Sequence, residues 1–143
     1  MSTSALDLCM TLGRAQAALR LKLDDELGTL HGVAWDVFGL LEMIDASGGS
    51  IAMRELPRRV GLSPSGVVRM LLPLEKVGLL AREPGPAGEW QVVLRPSGRR
   101  VLREARETAG AICSAAIAAD DWPLEGANAF LRELAANPAL DLR

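Results

Sequence analysis

One stretch constrains the chain more than any other, the segment from Met53 to Leu94, MRELPRRVGLSPSGVVRMLLPLEKVGLLAREPGPAGEWQVVL. It predicts a helix over Met53–Val60, with Pro57 early enough to be tolerated near the first turn. The tight turn Val60-Gly61-Leu62 follows, and then a second helix opened by Ser63 and Pro64. A serine at the N-cap accepts from an orphan N–H of the first turn, and a proline at the next position loses nothing by lacking its own N–H. Val67, Met70, Leu71, Leu74 and Val77 recur at helical spacing, and Gly78 stands where a left-handed stop is expected. Strands are expected at Leu79–Glu83 and Glu89–Arg95, with Trp90, Val92 and Leu94 on one face and Gln91, Val93 and Arg95 on the other.

Helix, turn, helix and hairpin in that order describe a winged helix-turn-helix, whose usual work is holding DNA. The exposed side of the second helix would present Ser63, Ser65, Gly66 and Arg69. Small residues allow close approach to a nucleic-acid backbone, and an arginine reaches a phosphate or a guanine edge. Arg54, Arg58 and Arg59 add charge beside it, and Arg82 and Arg95 flank the hairpin. Pro73 lies well inside the second helix and removes one backbone hydrogen bond.

The formal net charge of −2 looks wrong for such work until it is divided along the chain. Residues 54–106 hold ten Arg and one Lys against five Glu, a net of +6. The flanks are acidic and carry the balance. A basic centre between acidic flanks is the footprint of a module that faces DNA.

Outside that centre the sequence predicts helices. Residues 4–23 form a first helix striped by Leu8, Leu12, Ala15, Leu19 and Leu23, ended by Asp24-Asp25-Glu26 and Gly28. A second runs near Val33–Ile44, with Ala34, Val37, Phe38, Leu41 and Ile44 inward, and Ala46–Ser50 reads as a loop. Pro96 starts a long helix to about Ala118, and a last one covers about Leu124–Ala136. The fold class is therefore mainly α with a small β-hairpin. At 143 residues the expectation is a single domain, with residues 33–95 as its DNA-binding part and residues 1–30 and 96–143 as helical dimerisation parts. Terminal helices this apolar need a cover, and a second copy of the chain is the economical one.

Neither a membrane span nor a secretory leader is legible, which points to the cytoplasm. Cys9 and Cys113 are too few for a disulfide scaffold, and no metal-ligand spacing or cofactor motif occurs. With one histidine and no tyrosine, an enzyme is a poor reading; His31 before a helix reads as a packing or capping residue.

The carrying pieces, in order, are His31-Gly32-Val33-Ala34-Trp35, Arg54-Glu55-Leu56, Gly61 to Arg69, Leu74 to Arg82, and Leu94 to Arg99. In their order and spacing they resemble the MarR family of bacterial transcriptional regulators over nearly the whole chain. The resemblance implies a homodimer of winged helix-turn-helix modules on a double-stranded DNA operator, a repressor relieved by a small aromatic or phenolic ligand. Arg20, His31 and Trp35 are the candidates to line a ligand cleft. The chain departs from the family pattern in three places. Positions 86–88 of the wing carry no charge, Pro73 stands where an arginine is common, and Arg95 replaces a capping threonine.

Two alternatives stay open: a degenerate winged helix that binds protein without DNA, and a regulator that senses peroxide through Cys9 and Cys113. Against the second, Asp7 is the only charge within a turn of Cys9, and Cys113 sits among alanine and isoleucine.

Overall fold

A computed structural model describes residues 2–142. The chain order is α1 (Ala5–His31), α2 (Trp35–Ala46), β1 (Ser50–Ala52), a 3-10 turn (Met53–Glu55), α3 (Leu56–Val60), α4 (Pro64–Lys76), β2 (Leu80–Pro84), β3 (Trp90–Leu94), α5 (Pro96–Ala116), α6 (Leu124–Ala135) and a 3-10 turn at Pro138–Leu140. The strands form one antiparallel sheet in the order β1-β3-β2. Contacts divide the chain into two compact units, with the division inside α5 between Ala109 and Gly110.

α1 opens on a reciprocal cap. Ser4 Oγ accepts from the Asp7 N–H at 3.0 Å, and the Ser4 N–H donates to Asp7 Oδ2 at 3.1 Å. The helix does not break at Asp24–Gly28, as the acidic run and the glycine led one to expect. It continues to His31 and ends on Gly32, at φ 70°. Leu23 and Leu27 are fully buried there, which outweighs the roughly 1 kcal/mol that one helical glycine costs. The acidic residues are used instead: Lys22 Nζ bonds Glu26 Oε1 at 2.9 Å, and Asp24 Oδ1 accepts the Trp35 N–H at 2.7 Å. Ala34, the N-cap of α2, has no hydrogen-bonding side chain, so Asp24 supplies the cap from a neighbouring helix. Leu8, Leu12 and Ala15 of the expected stripe are exposed, and only its far end is covered.

The core of the first unit joins Phe38, Leu41 and Ile44 of α2 to Leu56, Val67, Leu71 and Leu74 and to the inner face of the sheet. β1 begins at Ser50, the last residue of what composition marked as loop, and continues to Ala52. Ser50, Ile51 and Ala52 pair with Val93, Val92 and Gln91, and buried Ile51 is the reason for the third strand. The hairpin lies within a residue of its expected bounds, with Arg82 opposite Val92. Val92 and Leu94 face the core, but Trp90 is 58% exposed because it pairs with Pro84 beyond the core's edge.

α4 starts as expected, with Ser63 Oγ accepting from the Gly66 N–H at 3.1 Å and Pro64 in the first turn. The helix runs through Pro73 to Lys76, and Gly78 takes φ 79° beyond it. Val77 is 68% exposed, so it does not belong to the apolar face. α5 begins against the strand entrance: Ser97 Oγ donates to Gly78 O at 2.5 Å, and the Arg95 N–H to Leu79 O at 3.0 Å.

In the second unit α6 buries no residue, and Trp122, Leu124, Phe130, Leu131 and Leu140 are exposed. Among the described residues no single helix is long and apolar enough to cross a membrane.

A candidate nucleic-acid interface

The first unit turns one face of α4 outward, and its beginning carries three of the expected residues. Ser63 and Ser65 have their hydroxyls 3.2 Å apart, and Arg69 extends from the next turn into solvent. Ser63 already caps the helix, so its oxygen is held at the N-terminus while Ser65 stays exposed. Gly66 could not take a side chain freely, since a Cβ there would stand 3.2 Å from Ser63 Oγ and 3.3 Å from Leu62 Cβ. Arg54, Arg58 and Arg59 are exposed on the 3-10 turn and on α3, immediately before the turn that leads into α4.

The hairpin arginines differ from these. Arg95 is exposed between β3 and α5. Arg82 is held by Glu75 of α4: its Nε donates to Glu75 Oε1, and its Nη2 lies 3.4 Å from Oε2. Sequence reasoning missed this partner, because seven residues separate the pair across a turn and a strand and no periodicity links them. It also missed Arg106, which bonds Glu42 at 2.6 Å and Asp45 at 3.3 Å. Those carboxylates hold the Arg106 guanidinium above its ordinary pKa, Glu42 through its hydrogen bond most of all. Part of the basic excess is therefore neutralised inside the fold, while Arg54, Arg59, Arg69 and Arg95 remain turned outward.

A concavity of about 400 Å³ is lined by Arg20 of α1, Trp35, Asp36, Leu40 and Met43 of α2, Arg59 and Val60 of α3, and Met70 of α4. Arg20 Nη1 donates to Asp36 Oδ2 at 2.7 Å, and Trp35 stacks on Phe38 with ring centroids 5.4 Å apart. Arg20 and Trp35 both line this concavity, and Arg59 joins them. His31 is not in the lining; its Nε2 lies 2.7 Å from Thr108 Oγ1 on α5. Cys9 is exposed on α1, Cys113 is half-buried on α5, and both are free thiols. No group of three or more metal-ligating side chains gathers among the described residues.

Solved structures share this architecture over nearly the full length. A MarR-family transcriptional regulator from Rhodococcus sp. RHA1 superposes with a TM-score of 0.82 at 20% identity, covering 94% of this chain and 98% of its own. Sco3205, a MarR-family regulator from Streptomyces coelicolor solved in complex with DNA, matches at 0.76 and 22%, covering 94% and 89%. CouR from Rhodococcus jostii RHA1, bound to p-coumaroyl-CoA, matches at 0.79 and 19%, covering 90% and 92%. The chain has the MarR fold. No family model matches the sequence, and no curated protein does. At identities this low the likeness lies in the arrangement of elements. In the MarR fold of this chain, exposed Arg69 lies on the outward face of α4, and Arg20 and Arg59 line the concavity.

Proposed function

We propose that this protein is a dimeric DNA-binding transcriptional regulator that holds a double-stranded operator through α4. The observation that carries the proposal is that outward face: a capped N-terminus, two small hydroxyl residues and Arg69, with Arg54, Arg58 and Arg59 beside it. Backbone N–H groups at such a terminus suit a phosphate, and an arginine one turn on suits a base edge or the next phosphate. The structure of Sco3205 with DNA supports the same use of the same fold.

Dimerisation through residues 1–30 and 96–143 is part of the proposal. α1 exposes Leu6, Leu8, Met10 and Leu21, and α6 exposes Phe130 and Leu131, apolar surface that calls for a partner. A two-fold pairing would set two α4 helices against successive major grooves. The ligand site in the proposal is the concavity holding Arg20, Trp35 and Arg59, whose apolar floor and cations suit a small aromatic or phenolic acid. Its occupation would relieve repression. Work on chromosomal DNA implies the cytoplasm.

The test is a gel shift with the DNA upstream of the chain's own reading frame, at fixed salt. Arg69→Ala is expected to weaken specific binding by about 1–3 kcal/mol. Wild-type affinity in that variant would take Arg69 off the DNA, and no shift by the wild-type protein on any duplex would leave a winged helix that binds protein instead.

A further inference from the structure

The outward face of α4 is not polar along its whole length. Val67, Leu71 and Leu74 are buried, and the opposite side carries Ser65, Arg69, Leu72 and Lys76 at spacings of four, three and four. Leu72 is 49% exposed, with exposed Pro73 next to it, and the two line a shallow hollow with Glu75 and Lys76. An apolar pair therefore interrupts the line of cations, one helical turn beyond Arg69 and one before Lys76.

We propose that Leu72, backed by Pro73, recognises the 5-methyl group of a pyrimidine, thymine in ordinary DNA, on the floor of the major groove. This rests on the reading of α4 as the DNA-facing helix. A major-groove floor offers hydrogen-bond donors and acceptors at every base pair and one apolar feature, the thymine methyl. Leucine against any other edge would strip water from polar atoms and return no bond. Neither side chain carries a hydrogen-bonding group, so Leu72 and Pro73 offer only van der Waals contact and exclusion of solvent. Arg69 and Lys76 on either side supply the charge that brings the backbone close, which favours DNA over an apolar protein surface as the occupant. The wing tip adds no cation at positions 84–88, so sequence preference falls more heavily on this face.

The experiment uses the full chain and duplexes selected by it from a pool with a randomised core. Each thymine of a selected duplex is then replaced by deoxyuridine, which pairs identically and lacks only the methyl. The wild-type protein is expected to lose about fourfold in affinity at one position in each half-site, the worth of one buried methyl. Leu72→Ala should bind more weakly and respond to no uracil replacement at that position. Leu72→Gln, of similar length and good helix propensity, should behave likewise, and a thermal melt confirms that either variant is folded. Uracil-insensitive binding by the wild type, or equal sensitivity in wild type and both variants, overturns the proposal while leaving DNA binding in place. A pool from which no duplex is enriched overturns the DNA reading itself, and this inference with it.

Discussion

Glu75 on α4 holds Arg82 on β2 through both of its carboxylate oxygens, with the two side chains 24% and 29% exposed. The contact ties the end of the proposed reading helix to the first wing strand. It also spends a charge that composition alone would assign to DNA. Glu75→Gln is expected to release Arg82, raise affinity for duplex DNA and steepen the salt dependence by about one phosphate contact. Arg82→Ala should leave that slope unchanged. Anisotropy titrations across a salt series check both; a slope that falls by one in Arg82→Ala would place Arg82 on a phosphate.

The wing should contribute little. Pro84 to Gly88 carries no charge and Glu83 and Glu89 border it, so the tip has no agent for entering a minor groove. Deleting two residues between Pro84 and Gly88 is expected to change DNA affinity by less than about threefold, roughly half a tenfold step in free energy. A larger loss at fixed salt, in a variant that melts like the wild type, would give the wing a part in binding.

Gly98 should tolerate no side chain. A Cβ there would overlap the carbonyl oxygen of Leu79 and stand 2.8 Å from Leu94 Cδ1, where α5 meets the strand entrance. A backbone oxygen cannot move aside as a flexible side chain can. Gly98→Ala is expected to destabilise the fold by about 1–3 kcal/mol or more, read as a lower denaturant midpoint. Gly126→Ala, on α6 with nothing within 4 Å of the added atom, is the comparison without a clash and should not lower the midpoint.

Acid should loosen the start of α1. The hydrogen bonds from Ser4 hold the Asp7 carboxyl below its ordinary value of 3.8. A lowered folded-state pKa means that the folded state binds the proton less readily than the unfolded one. The cap's contribution is therefore present above the ordinary value and is lost as pH falls through the lowered one. Amide exchange in the first turn of α1 is expected to accelerate across that acid window in the wild type. Asp7→Asn should show no such step; an identical step in both proteins would separate it from the Asp7 carboxyl.

Helix α4 was legible because its signals are local: Ser63 and Pro64 at one end, Gly78 at the other, and buried residues at helical spacing between them. The same held for α5 and α6, whose proline starts sit close to the observed bounds. What escaped depends on partners distant in sequence. Ser50–Ala52 is too short to show alternation and is a strand only because β3 lies beside it. Gly28 resembled a stop because its helix is held by the burial of Leu23 and Leu27, which no local pattern declares. In the candidate site the exposed arginines were legible as a charge cluster. The neutralisation of Arg82 and the entry of Arg59 into the concavity required the fold.

The carboxylate of Asp24 caps a helix to which it does not belong. Trp35 donates its backbone N–H across to α1, and one residue further on Asp36 takes the Arg20 guanidinium. Both attachments depend on the rotation and height of α1 relative to the start of α2. A displacement of α1 would leave the first turn of α2 with an orphan donor and an unpaired acid together. α1 therefore acts as a latch on α2, and one movement opens both catches.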